Sequence, residues 1–145
     1  MGRTRVICVA AVLTGLLGCA TPKSLTAVNC NGGSCNVDVH VENCTVSAPD
    51  IDNYGSNNIF WTIDAPSRAA GYKFPDPAVH LGVWLKNPPP TGCLTPDGVF
   101  DSPDRQNDWK FKLHNNGIRG TYCYGVMVVQ GSNTCPPLDP QINNH

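Results

Sequence analysis

Five stretches of this chain alternate apolar and polar residues with a period of two, the pattern of a β-strand that buries one face. In the first stretch, Val37, Val39 and Val41 alternate with Asp38 and His40. The predicted strands cover residues 37–41, 59–63, 79–85, 109–113 and 122–128.

Turn-forming residues separate these stretches. The chain holds 14 glycines and 13 prolines but only 14% charged residues, a composition that favours turns over helices. A long loop is predicted over residues 88–103, and the tail from 136 to 145 shows no period. No window after residue 18 has the stripe of a helix. The pattern therefore predicts an all-β fold in which two sheets pack face to face, a Greek-key-type β-sandwich.

The first eighteen residues have the composition of an export signal. Arg3 and Arg5 precede an apolar run over residues 6–17. A positive segment followed by about 7–15 apolar residues is typical of a secretory signal, whereas a membrane span needs about 20. We expect residues 1–18 to be removed, residues 19–29 to form a flexible tether and residues 30–145 to form one domain.

The apolar run ends in Leu16-Leu17-Gly18-Cys19, which resembles the lipobox of bacterial lipoprotein precursors. The resemblance implies cleavage before Cys19, a diacylglycerol on its sulfur and an acyl chain on its new amino group. Several acyl chains anchor a protein, whereas one chain holds it only marginally. Because Ala20 rather than Asp follows, the resemblance favours the outer membrane, with the domain facing the periplasm or the cell surface. The alternative is an ordinary secretory signal in which Cys19 is incidental.

The charge pattern bears on the class of partner. The whole chain has a formal charge of −1, and the leader contains basic residues but no acid, so the exported part is more negative. No cluster of Lys or Arg is present, and the sequence therefore does not predict a nucleic-acid partner. The expected partners are membrane lipid, through Cys19, and an envelope protein or a glycan.

The cysteine count predicts a disulfide framework. Of eight cysteines, Cys8 lies in the leader and Cys19 at the cleavage point, which leaves six for the exported domain. Six cysteines allow 15 connectivities. We favour one local bridge, one from the first strand to the end of the domain, and one between the two cysteines that remain. The favoured pairs are Cys30–Cys35, Cys44–Cys135 and Cys93–Cys123.

The run Gly120-Thr121-Tyr122-Cys123-Tyr124 opens the last predicted strand. It resembles the strand before the copper loop of cupredoxins. It is also similar to the tyrosine corner of immunoglobulin-like sandwiches, with Trp61 as the candidate core tryptophan. The cupredoxin resemblance implies a ligand cysteine two residues after the second aromatic residue, but Val126 stands there.

The candidate metal ligands do not have the expected spacing. His40, His80, His114 and Met127 fit no blue-copper pattern. The acids of the loop over residues 97–108 lack the spacing of a calcium loop and are interpreted as solvated. We therefore predict no metal and no cofactor, and keep a cupredoxin-like copper protein with a non-standard site as the alternative function.

His80 and Trp84 are the candidate ligand-binding residues. They share a face of the predicted third strand, where an aromatic ring beside a polar group can stack against a sugar or a peptide. The competing interpretation is that Trp84 covers a sheet or a loop. Motifs of nucleophilic hydrolases, zinc proteases and phosphate loops are missing from the sequence. We expect a non-catalytic binding or structural module of the cell envelope rather than an enzyme.

Overall fold

The described part of the chain folds mainly into β-strands joined by turns and loops, with one short helix. The computed structural model describes residues 25–145, so the predicted signal peptide and Cys19 lie outside the described residues. None of the helical structure in this part is long and apolar enough to cross a membrane. The elements are β1 Val28–Glu42, β2 Thr45–Ser47, β3 Ile51–Ile63, α1 Ala65–Ala69, β4 Tyr72–Lys73, β5 Val83–Leu85, β6 Asp104–Asn107, β7 Lys110–Asn115, β8 Gly120–Val126, β9 Val129–Gln130, β10 Asn133–Thr134 and β11 Gln141–Asn144.

Strands β1 and β3 form a parallel ribbon that runs through both layers of the protein. Their pairing shifts register between Asn31 and Gly33. The Cα atoms of Cys30 and Cys35 are only 5.1 Å apart, whereas five residues of straight strand span about 16 Å. The ribbon therefore turns back on itself here, and its two halves lie in different layers.

Each half of the ribbon continues into its own layer of one eight-stranded sheet. The first half of β3 pairs with β11, β11 pairs with β8, and β8 pairs with β5. The second half of β3 pairs with β7, and β7 pairs with β6, while the end of β1 pairs with β2. A small sheet of β4, β9 and β10 lies near the β1–β2 turn, at the end of the sandwich away from the ribbon's turn.

Aromatic side chains from the two layers meet in the core. Trp61 of β3 packs against Tyr124 of β8, with ring centroids 5.2 Å apart, and both residues are fully buried. Phe100 lies edge-on to Tyr122 at 5.1 Å. Trp61 lies in the half of β3 that pairs with β7, and Tyr124 lies in β8, so their contact shows that two layers of this folded sheet face each other. The fold is the all-β, disulfide-stabilised sandwich that the sequence predicts.

Three disulfides hold the sandwich at separate places. The first crosses the turn of the ribbon, the second joins the β1–β2 turn to the segment after β10, and the third joins the 88–103 loop to β8. These are the pairs favoured from the sequence. The bridges are Cys30–Cys35, Cys44–Cys135 and Cys93–Cys123.

Four of the five predicted strands are confirmed in β1, β3, β7 and β8, but two of them have different ends. Trp109 is exposed in the turn before β7, and Met127 and Val128 lie beyond the end of β8. The strand predicted over residues 79–85 is wrong for most of its length, because β5 covers only Val83–Leu85. Val79 and Leu81 are exposed, and the backbone N–H of His80 donates to the carbonyl of Asp76 at 3.0 Å. The alternation here belongs to an exposed turn.

The tail and the tether need correction as well. The sequence predicts no regular structure after residue 136, but β11 lies between β3 and β8 and pairs with both. Only Ile142 in this strand is apolar, so no alternation was visible. The tether predicted over residues 19–29 is too long, because β1 already begins at Val28.

Candidate functional site

Three loops meet where the ribbon turns from one layer to the other, and we call this surface the apex. It consists of residues 31–34 in β1, residues 54–56 in β3 and residues 116–119 between β7 and β8. Gly55 and Gly117 make the closest contact, since a Cβ on Gly117 would lie 2.6 Å from the carbonyl group of Gly55. No larger residue fits at position 117 without moving the loops apart, and the β7–β8 loop is therefore seated against the ribbon.

A network of buried asparagines lies directly below the apex. Asn53 and Asn57 come from the ribbon, Asn115 from β7 and Asn144 from β11, and each is at most 4% exposed. Asn53 Nδ2 donates to Asn144 Oδ1 at 3.1 Å, and Asn57 Nδ2 donates to Asn53 Oδ1 at 2.8 Å. Asn115 Nδ2 donates to Asn144 Oδ1 at 2.8 Å. At this point β3 leaves β11 and joins β7, so side-chain amides fill the gap between the two backbone ladders.

The same network holds the backbone of the β7–β8 loop. Asn144 Nδ2 donates to the carbonyl of Ile118 at 2.8 Å, and Asn115 Oδ1 accepts the N–H of Gly117 at 2.9 Å. The hydroxyl of Tyr122 donates to the same Ile118 carbonyl at 3.1 Å, four residues upstream. This bond has the geometry of a tyrosine corner. Burial raises the pKa of Tyr122, so its hydroxyl keeps the donated proton at neutral pH.

Apolar side chains and one cation are exposed at the apex. Tyr54 is 44% exposed, Ile118 52% and Leu94 53%. Leu94 lies beside the apex, because its Cδ1 would be 2.5 Å from a Cβ on Gly120. Arg119 is exposed, and none of the ion pairs within residues 25–145 includes it. The surface thus combines apolar anchors with a guanidinium group that is open to a ligand.

Neighbouring groups hold Tyr54 in position. Its ring stacks on the imidazole of His145, with centroids 4.7 Å apart and planes at 15°. His145 is itself placed by its backbone N–H, which donates to the carbonyl of Asn53 at 2.9 Å, and its Nε2 lies 3.3 Å from Asp52 Oδ1. An exposed ring that is already fixed loses little side-chain entropy on binding.

A shallow cleft lies at the opposite end of the sandwich. It has a volume of about 530 Å³ and adjoins the bridge from Cys44 to Cys135. Its lining includes Glu42, Asn133 and Tyr72, whose hydroxyl accepts the N–H of Cys44 at 3.0 Å. The lining offers polar groups but none of the exposed large apolar side chains of the described chain. Because such side chains anchor most binding surfaces, the apex is the stronger candidate.

His40 is paired with the partly buried carboxylate of Asp64. His40 Nδ1 lies 2.7 Å from Asp64 Oδ2, and Asp64 Oδ1 accepts the N–H of Ser67 and so caps α1. Partial burial opposes ionisation of Asp64, but the hydrogen bonds from Ser67 and His40 outweigh it, and the pKa of Asp64 is lowered. The Ser67 hydroxyl is buried and bonded to both backbone groups of Val41, so it is not a nucleophile for this pair.

The structure separates the two residues of the predicted ligand-binding face. His80 is exposed in the turn before β5, whereas Trp84 is in β5 and pairs across the strands with Gly125. A Cβ on Gly125 would overlap the Trp84 ring. Trp84 therefore covers β8, as in the competing interpretation, and the two side chains do not share a strand.

The candidate metal ligands are also apart. His40, His114 and His145 have different partners, and the six cysteines of the described residues are all in disulfides. Within residues 25–145 no three His, Cys, Asp or Glu side chains are grouped as metal ligands. In the acidic loop, Asp108 instead pairs with Arg105 at 2.6 Å. The described residues thus give no support to the cupredoxin-like alternative.

No protein-family model matches this chain, and none of the curated proteins compared with it shows significant similarity. Sequence reasoning missed the apex, although Asn31-Gly32 and Asn116-Gly117 carry a turn signal. These dipeptides mark turns but do not show which turns meet. The function therefore has to be inferred from the residues themselves.

Proposed function

We propose that this chain is a lipoprotein of the bacterial cell envelope whose exported sandwich is a non-catalytic binding or structural module. The observation that carries the proposal is the run Leu16-Leu17-Gly18-Cys19 at the end of the export signal. Lipid on Cys19 anchors the domain in the outer membrane, where it faces the periplasm or the cell surface. The disulfides support export, because such bonds persist in oxidising compartments.

The direction of β1 supports a binding role for the apex. The strand starts at Val28 and reaches the apex at Asn31, so the tether joins β1 about 10 Å from the apex and the strand runs toward it. The segment from Cys19 to Val28 spans at most about 30 Å when fully extended. A domain on this tether stays near the membrane and is free to present the apex to a partner.

Metabolic labelling with a tagged fatty acid tests the anchor. In cells that produce the full chain, we expect label on the unaltered protein and none on Cys19→Ser. The matched control is Cys8→Ala, which removes the leader cysteine and is expected to keep the label. An unlabelled native protein, or a Cys19→Ser variant that remains labelled, contradicts the proposal.

A further inference from the structure

We propose that the apex docks a folded protein that presents an apolar patch with a carboxylate beside it. This inference rests on the proposed binding function and adds the chemistry of the partner. It uses the three loops of the apex together with Leu94, which is adjacent to them.

The composition of the loops is that of a protein-binding surface. Residues 31–34 read Asn-Gly-Gly-Ser, residues 54–56 read Tyr-Gly-Ser and residues 116–119 read Asn-Gly-Ile-Arg. They include no Lys, Asp or Glu. Tyr and Arg are enriched at protein interfaces, whereas Lys, Asp and Glu are depleted. Tyr, Ser, Gly and Asn also dominate the binding loops of antibodies, which likewise lie at one end of a β-sandwich.

The exposed apolar side chains are close enough for one partner to cover. Tyr54 is on β3 and Leu94 lies beside β8, with β11 between these strands. Since neighbouring strands are about 5 Å apart, the two residues lie within about 15 Å of each other. Ile118 follows Gly117, which is seated on the ribbon next to Tyr54. A patch with two aliphatic anchors favours a protein over a glycan, because leucine and isoleucine offer nothing to sugar hydroxyls.

Charge specifies the partner further. Arg119 belongs to no ion pair of the described residues, and a guanidinium forms its strongest pair with a carboxylate at a partly desolvated interface. A second copy of this chain does not supply that carboxylate from its own apex. Two-fold pairing of the apex with itself would instead bring two Arg119 side chains into one interface. The proposed partner is a different protein, and capture of a second copy alone overturns the proposal.

The surface is already organised for binding. The asparagine network fixes the β7–β8 loop from below, and the His145 stack fixes Tyr54. The side-chain amides of Asn115 and Asn144, which hold this loop, have all their partners within the fold and so favour one geometry. A rigid surface avoids the entropy cost of ordering loops on association. Substitutions of single exposed side chains at the apex are thus expected to change binding of the partner protein and to leave the fold intact.

Site-specific photo-cross-linking in the producing cells is the first step of the test. A photo-reactive phenylalanine analogue replaces Ile118 in the full-length chain, and the control carries it at Val79. Val79 is 69% exposed and precedes β5, which pairs with the end of β8 opposite to Gly120. We expect a protein adduct at position 118 and none at 79.

Binding of the captured protein is the second step. The full-length lipoprotein, purified in detergent, is titrated with the purified captured protein by calorimetry. Ile118→Asp and Arg119→Glu are each expected to weaken binding about tenfold or more, while Val79→Asp leaves it unchanged. Thermal unfolding of each variant shows that the fold is retained.

Several outcomes overturn the docking surface. In the cross-linking step, they are the absence of an adduct at position 118, adducts at both positions, or an adduct that contains only a second copy of the chain, only lipid or only glycan. In the binding step, the contradicting result is that both apex variants bind the captured protein as tightly as the native protein does. Fatty-acid labelling of the same cells separates this inference from the proposed anchor. Label without an adduct removes the docking surface alone, and an adduct without label removes the anchor alone.

Discussion

Ser67 shows how one side chain replaces a missing strand. Strand β3 ends at Ile63, and beyond it Val41 of β1 has no strand partner on that side. Ser67 Oγ accepts the N–H of Val41 at 2.8 Å and donates to its carbonyl at 3.3 Å. Both residues are buried, so water has no easy access to these backbone groups.

Replacing Ser67 by Ala tests this role. The change leaves a buried N–H and a buried carbonyl without a partner, and each such group costs about 1–3 kcal/mol. We expect the free energy of unfolding to fall by about 2 kcal/mol or more in urea titrations. The control Ser34→Ala alters an exposed residue of β1 and should change stability little. Equal stability of the two variants contradicts the role.

Asp64 predicts a dependence of stability on pH. Its usual pKa is near 3.8 and the folded value is lower. The charged form of Asp64 therefore stabilises the fold at pH values above the pKa that Asp64 has in the unfolded chain. This stabilisation disappears as the pH falls through the lower pKa that Asp64 has in the folded protein. Asp64→Asn keeps a capping oxygen but removes the charge. We expect the native protein to be the more stable of the two at about pH 6, and the difference to close below about pH 4. A difference that grows in acid contradicts the assignment.

At the scale of the elements, alternation of apolar and polar residues predicts the strands that bury one face in the core. Ile59, Trp61 and Ile63 point into the core while the residues between them are only partly buried, so the period of two is visible in the sequence. Strand β11 is different, because its inward positions hold Ile142 and Asn144. The asparagine is buried only because other asparagines satisfy its amide, and one sequence does not show that.

Strand β11 is expected to contribute strongly to stability although it was not predicted. Ile142 is fully buried between β3 and β8. Ile142→Ala should lower the free energy of unfolding by about 2–5 kcal/mol through lost burial and a new cavity. Gln141→Ala, an exposed position of the same strand, should have a small effect. Similar losses for both variants, measured in urea, contradict the placement of β11.

The candidate site was harder to predict than the fold. Its loops are visible as Asn-Gly and Gly-rich turns, but their meeting depends on the parallel pairing of β1 and β3 and on the turn of the ribbon. Pairing between distant segments has no local sequence signal. Alternation in residues 79–85 predicts His80 and Trp84 on one strand face, but residues 79–82 precede β5, and only Val83–Leu85 form a strand.

For the whole molecule, the disulfides differ in the length of chain that they close. The bridge from Cys44 to Cys135 has a sequence separation of 91, and that from Cys30 to Cys35 a separation of 5. In the chain-entropy account, longer loops give more stabilisation, about 4–5 kcal/mol for the first bridge and about 2 kcal/mol for the second. Urea unfolding of the two double Cys→Ser variants should show this order, and the reverse order contradicts it.

The central claim is that Cys19 begins the mature protein and carries lipid. Mass spectrometry of the N-terminal peptide, from protein purified out of the membrane fraction, tests it most directly. We predict a peptide that starts at Cys19 and carries a diacylglyceryl group and an added acyl chain. An unmodified peptide, or one that starts at another residue, contradicts the account.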